Sequence, residues 1–278
     1  MAELTLSGPA RRSPWTGPRR VLGPGMAVGY LSLLVLLPLA ALLSNAFTGG
    51  IGTFWQEVTQ PESLAALQLS LLMAAAVVAA NAVTGLMVAL VLVRDDFPGK
   101  GVLNAIIDLP LALPTVVAGL TLLSLYGPSS PIGVNVAFSR WAIVLALAFV
   151  TLPFSVRAVQ PVLAALDPAE EETAASLGAG ALAIFRRVLL PKLAPAMLAG
   201  AGLGFARALG EYGSVVLISG NLPFRTELAS VRIYGLVESY DLPAAAAVAL
   251  VLVVIALAVL LGLAWIRHRV QPLRGASS

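Results

Sequence analysis

The sequence predicts an all-α integral membrane fold of six transmembrane helices, with both termini on the cytoplasmic side. Three observations predict it. Of 278 residues, 59% are hydrophobic and 11% charged, whereas soluble domains carry about 25% charged residues. The apolar residues fall in runs of about 18 residues or more, the length that crosses a bilayer. Lys and Arg gather at the ends of these runs and favour one side.

Composition also excludes chemistry. There is no cysteine, so disulfides, zinc–thiolate sites and cysteine nucleophiles are ruled out. The one histidine, His268, lies in an Arg-rich C-terminal patch, and a lone histidine builds no multi-His metal site. No catalytic residue and no metal site are expected. The net charge of +3 does not predict nucleic acid, because the basic residues gather at the ends of apolar runs.

Residues 1–24 read as a basic tail, with Arg11, Arg12, Arg19 and Arg20 among Pro and Gly. The first apolar run is Met26 to Leu43, followed by Ser44-Asn45-Ala46, a possible cleavage site. Signal h-regions are about 7–15 residues long and follow short leaders, so a retained span is expected. Residues 44–62 form a loop without Lys or Arg. Leu64 to Val93 is the second span, long enough to tilt or protrude. Asn81, near its middle, either bonds to a neighbouring helix or lines a path. Arg94 to Lys100 is a polar turn.

The third span, about Leu103 to Tyr126, contains DLPLALPT at 108–115, with Asp108, Pro110, Pro114 and Thr115. Two prolines four apart remove backbone donors. The result is a kinked helix that either serves packing or lines a path through the membrane. Gly127 to Ser139 is a loop. Trp141 to Val159 is the fourth span, kinked near Pro153 and ending at Arg157.

The stretch 167–191, DPAEEETAASLGAGALAIFRRVLLP, is not explained by a bilayer. Asp167 can cap a helix, Pro168 suits its first position, and Glu170 falls where a capping-box acid belongs. Glu171 and Glu172 complement the helix dipole. Gly178 and Gly180 interrupt the helix. A second short helix, Ala181 to Leu189, follows, and Pro191 is expected to end it.

The fifth span, about Leu193 to Ile218, has a small-residue face of Gly200, Gly202, Gly204 and Gly210 that lets helices approach closely. Arg207 and Glu211, four apart, share one helix face. They form either an internal pair or a gate or path-lining element; neither need touch an anion directly, and Glu211 would repel one. In residues 219–241, Thr226 can cap a short helix with Leu228, Val231, Tyr234 and Val237 on one face. Leu242 to Ile266 is the sixth span, and 267–278 a second basic tail. With the N-terminus inside, thirteen Lys and Arg lie on the inner side and three on the outer, which places both ends in the cytoplasm.

Glu172-Thr173-Ala174, three residues, Gly178, nine residues, then Val188-Leu189-Leu190-Pro191 resembles the EAA loop of binding-protein-dependent ABC importer permeases. Thr173 and Val188 depart mildly from the Ala and Ile of that pattern. RALGEYGSVVLISGNLPFRTE at 207–227, DLPLALPT at 108–115 and RAVQPVL at 157–163 are similar to the T-type permease subunits of bacterial sulfate/thiosulfate importers. Molybdate/tungstate permeases are the close alternative.

The resemblance covers about 26–266. It implies a type I importer permease domain over 25–266 in the bacterial inner membrane, forming half of a translocation pathway. It implies that Glu172, Thr173, Ala174, Gly178, Phe185, Leu190 and Pro191 couple to a separate ATPase. Asp108, Pro110, Pro114, Thr115, Arg207 and Glu211 are the pathway or gate candidates. The implied partners are a W-type second permease, two ABC ATPase subunits that hold the ATP and Mg, a sulfate/thiosulfate-binding protein and the bilayer. The chain has no G-x-x-x-x-G-K-[ST] and so no P-loop of its own. A secondary transporter, which would show an inverted repeat, a membrane enzyme and a scaffold subunit are the other classes considered.

Overall fold

A computed structural model describes residues 19–270, and side chains over 25–267 and at 269. The expected tails at 1–18 and 271–278, with Arg11, Arg12 and Arg274, lie outside the described residues, as does the His268 side chain. Helix α1 (Arg19–Ala46) already begins at Arg19, inside the stretch expected as tail. Helix α2 (Gly50–Thr59) occupies the stretch expected as a loop. Phe54 and Val58, four apart, bury one face of it, and Phe54 stacks on Phe47 with ring centroids 4.7 Å apart. Helix α3 (Pro61–Arg94) runs 34 residues, about 51 Å at 1.5 Å per residue. It therefore projects beyond a hydrocarbon core of about 30 Å.

The third span is not one kinked helix. Helices α4 (Lys100–Ala112) and α5 (Thr115–Tyr126) meet at a 115° bend. Pro110 is accommodated inside α4, but Leu113 is extended before Pro114, because a proline ring disfavours the α conformation in the preceding residue. Helix α6 (Arg140–Ala164) continues through Pro153 and past Arg157. Then come α7 (Pro168–Ser176), α8 (Ala181–Ile184), a π turn (Phe185–Leu189) and α9 (Leu190–Leu209). The fifth span is also interrupted: Gly210–Tyr212 separates α9 from the short α10 (Gly213–Ile218).

Outside the spans lies α11 (Ala229–Glu238), whose N-cap is Leu228, not Thr226. The Thr226 hydroxyl instead accepts from Leu222 N–H at 3.0 Å. Leu228 and Val231 are buried as expected, while Tyr234 and Val237 turn outward. Helix α12 (Leu242–Val270) is the last span.

Five single helices are long and apolar enough to cross a membrane, and α4–α5 makes a sixth, bent crossing. Helices α3 and α6 run parallel, with Asn81 Nδ2 donating to Ala148 O and Thr151 Oγ1 at 3.0 and 2.9 Å. Asn81 thus ties two helices together. Helix α9 runs antiparallel to α6. A Cβ at Gly200 would lie 2.8 Å from Ala158 Cβ and 3.0 Å from Phe154 O, and one at Gly85 would lie 2.6 Å from Ser155 Cβ. Only a bare backbone at 85 and 200 lets α3, α6 and α9 converge at Ser155. Gly204, another member of the expected small-residue face, has ordinary room, 3.6 Å to Val78. Both ends of the described chain lie at the end of the bundle that carries α7, since the crossings alternate in direction.

Candidate functional site

Two constellations are built from the residues named above. The first is the 167–191 loop. Asp167 Oδ1 accepts from Ala169 N–H at 2.9 Å and caps α7. At the other end, Ala179 N–H donates to Ala174 O and Gly178 N–H to Ala175 O, with Gly178 at φ +84°. This is a Schellman cap, which needs a left-handed residue and so favours glycine. Gly180 has φ −72° and needs no such freedom. Two ion pairs moor α7: Glu171 with Arg94 at the end of α3, and Glu170 with Lys192 at the start of α9. No residue of α7 is buried. Glu172 and Thr173 are exposed on it, and Leu177 and Leu182 beside the glycine turn are 84% and 69% exposed.

Pro191 does not end the helix. The coil from Ala181 passes through it into α9 as one 29-residue stretch. In an α-turn the proline ring would meet the Arg187 carbonyl. The π turn opens the coil just before it, with Leu190 N–H donating back to Phe185 O. Phe185, Leu189 and Leu190 pack this turn into a buried cluster with Leu86, Val156 and Leu163. The outward face of the loop is thus carried on a base that is rigidly part of the bundle.

The second constellation lies where the two interrupted spans touch. A Cβ at Gly213 would lie 2.2 Å from Thr115 Oγ1, and one at Gly119 would lie 2.6 Å from Ser214 O. Glu211 is in the interruption itself, beyond the end of α9, rather than inside a continuous helix. It is still paired as the spacing predicts, with Arg207 Nη1 2.7 Å from Glu211 Oε2. Glu211 Oε1 accepts from Ser214 N–H and Oγ–H at 2.8 and 2.9 Å, and Ser230 Oγ–H donates to Glu211 O at 2.6 Å. Oε2 is buried and takes no hydrogen bond of good direction.

Asp108 and Pro110 sit apart from this junction, on α4. Asp108 forms a two-point pair with Arg157, 2.7 Å on each side. Arg157 also donates to Asn104 Oδ1, Asn104 O and Gln160. Sequence reading missed this network, because its members are 49 and 53 residues apart. The one available signal was polar Asn104 and Asp108 on one face of an apolar helix.

A cavity of about 420 Å³ lies between α3, α4 and α6, lined by apolar side chains such as Met87, Ile106, Pro110 and Phe149. It offers no donor to an anion. Among the described residues, no three of His, Cys, Asp and Glu converge as metal ligands.

Residues 81–272 match the family model described as binding-protein-dependent transport system inner membrane component. The sulfate transport system permease protein CysT of Synechocystis sp. is 45% identical over 239 residues, 84% of each chain. The protein of that name from Salmonella typhimurium is 40% identical over 91% of this chain and 94% of its own. Among solved structures, a chain of a bacterial alginate ABC transporter superposes with TM-score 0.73 at 19% identity, covering 91% of this chain and 96% of that one. A methionine ABC transporter chain gives TM-score 0.59 at 19% identity, covering 74% and 95%. At these identities the two structures speak to fold alone.

Proposed function

The chain belongs to the binding-protein-dependent transport system inner membrane components, and from that premise we propose that it is a permease subunit of an ATP-driven importer for sulfate. It is a multi-pass inner-membrane protein. The substrate follows from relatives 39–45% identical over most of the chain, each named as a sulfate transport permease. Thiosulfate shares the tetrahedral dianionic chemistry, and molybdate is the competing oxyanion.

One observation carries the coupling role. An unburied, doubly capped helix, α7, stands out from an otherwise apolar bundle and is held by charged side chains at its rim. A soluble partner can grip such a helix, and the two ion pairs and the π-turn base would carry its motion into α3 and α9. In this reading the α7 end faces the cytoplasm, and two ATPase subunits dock there. A second permease subunit completes the pathway, and a binding protein delivers the anion at the other end. ATP closes the ATPase dimer, α7 transmits the motion, and the permease pair rocks between inward and outward access. Glu172, exposed on α7, faces the ATPase.

The test is radiolabelled sulfate uptake by the reconstituted complex, with molybdate as competitor. ATP-dependent uptake is expected to be blocked by excess sulfate and lost in Glu172→Lys. Uptake that persists without ATP, or that Glu172→Lys leaves intact at full coupling, overturns this function.

A further inference from the structure

We infer that the Arg207 guanidinium is the group on this chain that meets a tetrahedral oxyanion in transit, with Glu211 as the residue that positions it between anions. This rests on the importer reading above.

Arg157 and Arg207 both lie inside helices of the bundle, away from the helix starts, and the structure treats them differently. Arg157 has all five N–H groups taken by Asp108, Asn104 and Gln160, so it is fully occupied as a tie between α4 and α6. Arg207 has the Glu211 carboxylate 2.7 Å away, and no acceptor among the described residues takes a directed hydrogen bond from it. Apart from that pair its N–H groups meet no acceptor among the described residues, and its side chain is 32% exposed.

Position gives that exposed third a direction. Gly200 faces α6, Gly202 faces α12, and Gly204 faces α3 and α6. Leu203 and Gly210 are exposed on the remaining side of α9, and Arg207 lies at the edge between that side and the Gly200 stripe. Arg207 is fifteen residues beyond Lys192, about 22 Å along the helix. That lies in the far half of a core about 30 Å thick, the half an anion released by the binding protein enters first. A guanidinium turned toward acyl chains is among the costliest placements in a membrane, and such groups face bundle interiors or water-filled cavities. This face of α9 therefore looks onto the seam with the second permease subunit.

The chemistry fits an anion that must leave again. A guanidinium offers a planar fork of donors that matches two oxygens of a tetrahedral oxyanion. Glu211, 1% exposed and held through Oε1 by Ser214, cannot swing away. It neutralises Arg207 when the pathway is empty, and it competes with the anion when the pathway is filled. The hold is then strong enough to admit a dianion and weak enough to release it, as conduction requires. No bond is made or broken in this step.

The test uses the reconstituted complex with saturating, sulfate-loaded binding protein, and reads sulfate moved per ATP hydrolysed. Arg207→Gln should lower this ratio roughly tenfold or more, the loss expected for one charge-assisted contact. Arg207→Lys should fall between the two. The decisive variant is Arg207→Gln with Glu211→Gln. If the pair serves folding only, removing both charges leaves no stranded ion and uptake returns; if Arg207 holds the anion, uptake stays low. Restored uptake in the double variant, or an unchanged ratio in Arg207→Gln, overturns the inference. If the wild-type complex moves molybdate and not sulfate, the substrate reading fails by itself, and the same variants are scored with molybdate.

Discussion

Replacing Gly178 isolates the backbone geometry of the 167–191 loop from its packing. Gly178 has φ +84°, and a Cβ built there would meet no atom within 4 Å. Gly178→Ala therefore meets no steric clash, and its whole effect is conformational. An L-residue in the left-handed region costs about 1–2 kcal/mol, which lowers the population of the native turn by a factor of about 5–30. Asn tolerates this conformation better than Ala, and a β-branched residue tolerates it worst. The expected order of coupled uptake in proteoliposomes is Gly, then Asn, then Ala, then Val at 178. Gly180 is the internal control, two residues away and equally open in space, but at φ −72°. Gly180→Ala should stay within about twofold of wild type. Full uptake by Gly178→Val, or equal damage from Gly180→Ala, would refute the reasoning.

Three further outcomes follow from the packing and the charges. Gly85→Ala should destabilise by about 1–3 kcal/mol through overpacking, and Ser155→Gly should recover part of it by removing the Cβ 2.6 Å away; thermal melts in detergent check both. Asp108→Ala strands Arg157, and because the pair is a third to a half exposed the loss is expected at about 1–3 kcal/mol, below the range for a sealed pair. The same melts should then show Asp108→Asn milder than Asp108→Ala. Outside the spans, burial lifts the Glu227 carboxyl above its ordinary range, with Arg232 opposing and Glu62 adding to the lift. The folded state then holds this proton more tightly than the unfolded chain, so stability falls as pH rises from the unfolded value through the folded one. Glu227→Gln should flatten that fall, and a melting series from pH 4 to 7 measures it.

The six crossings were legible because apolar runs of spanning length are an all-or-none signal, and the Asp167 cap and the Gly178 turn were legible because both use local chemistry. Three features were not. The α2 helix is too short for its four-residue spacing of Phe54 and Val58 to stand out from a loop. Pro191 reads as a stop, and only a widened turn five residues long lets the helix pass through it. The break at Gly210–Tyr212 looks in sequence like one more member of a glycine face. The Arg207–Glu211 pair was visible from its spacing, whereas the Arg157–Asp108 pair joins two helices and leaves no local trace.

The meeting of three backbones at Ser155 has a mechanical consequence. Gly200 lies ten residues from Leu190 and ten from Gly210, about 15 Å along α9 in each direction. Contact this close between main chains resists sliding, so tilting about that point is the easy motion. On that geometry the helix would act as a see-saw with equal arms, so a displacement imposed at Leu190 would return, reversed, near Gly210.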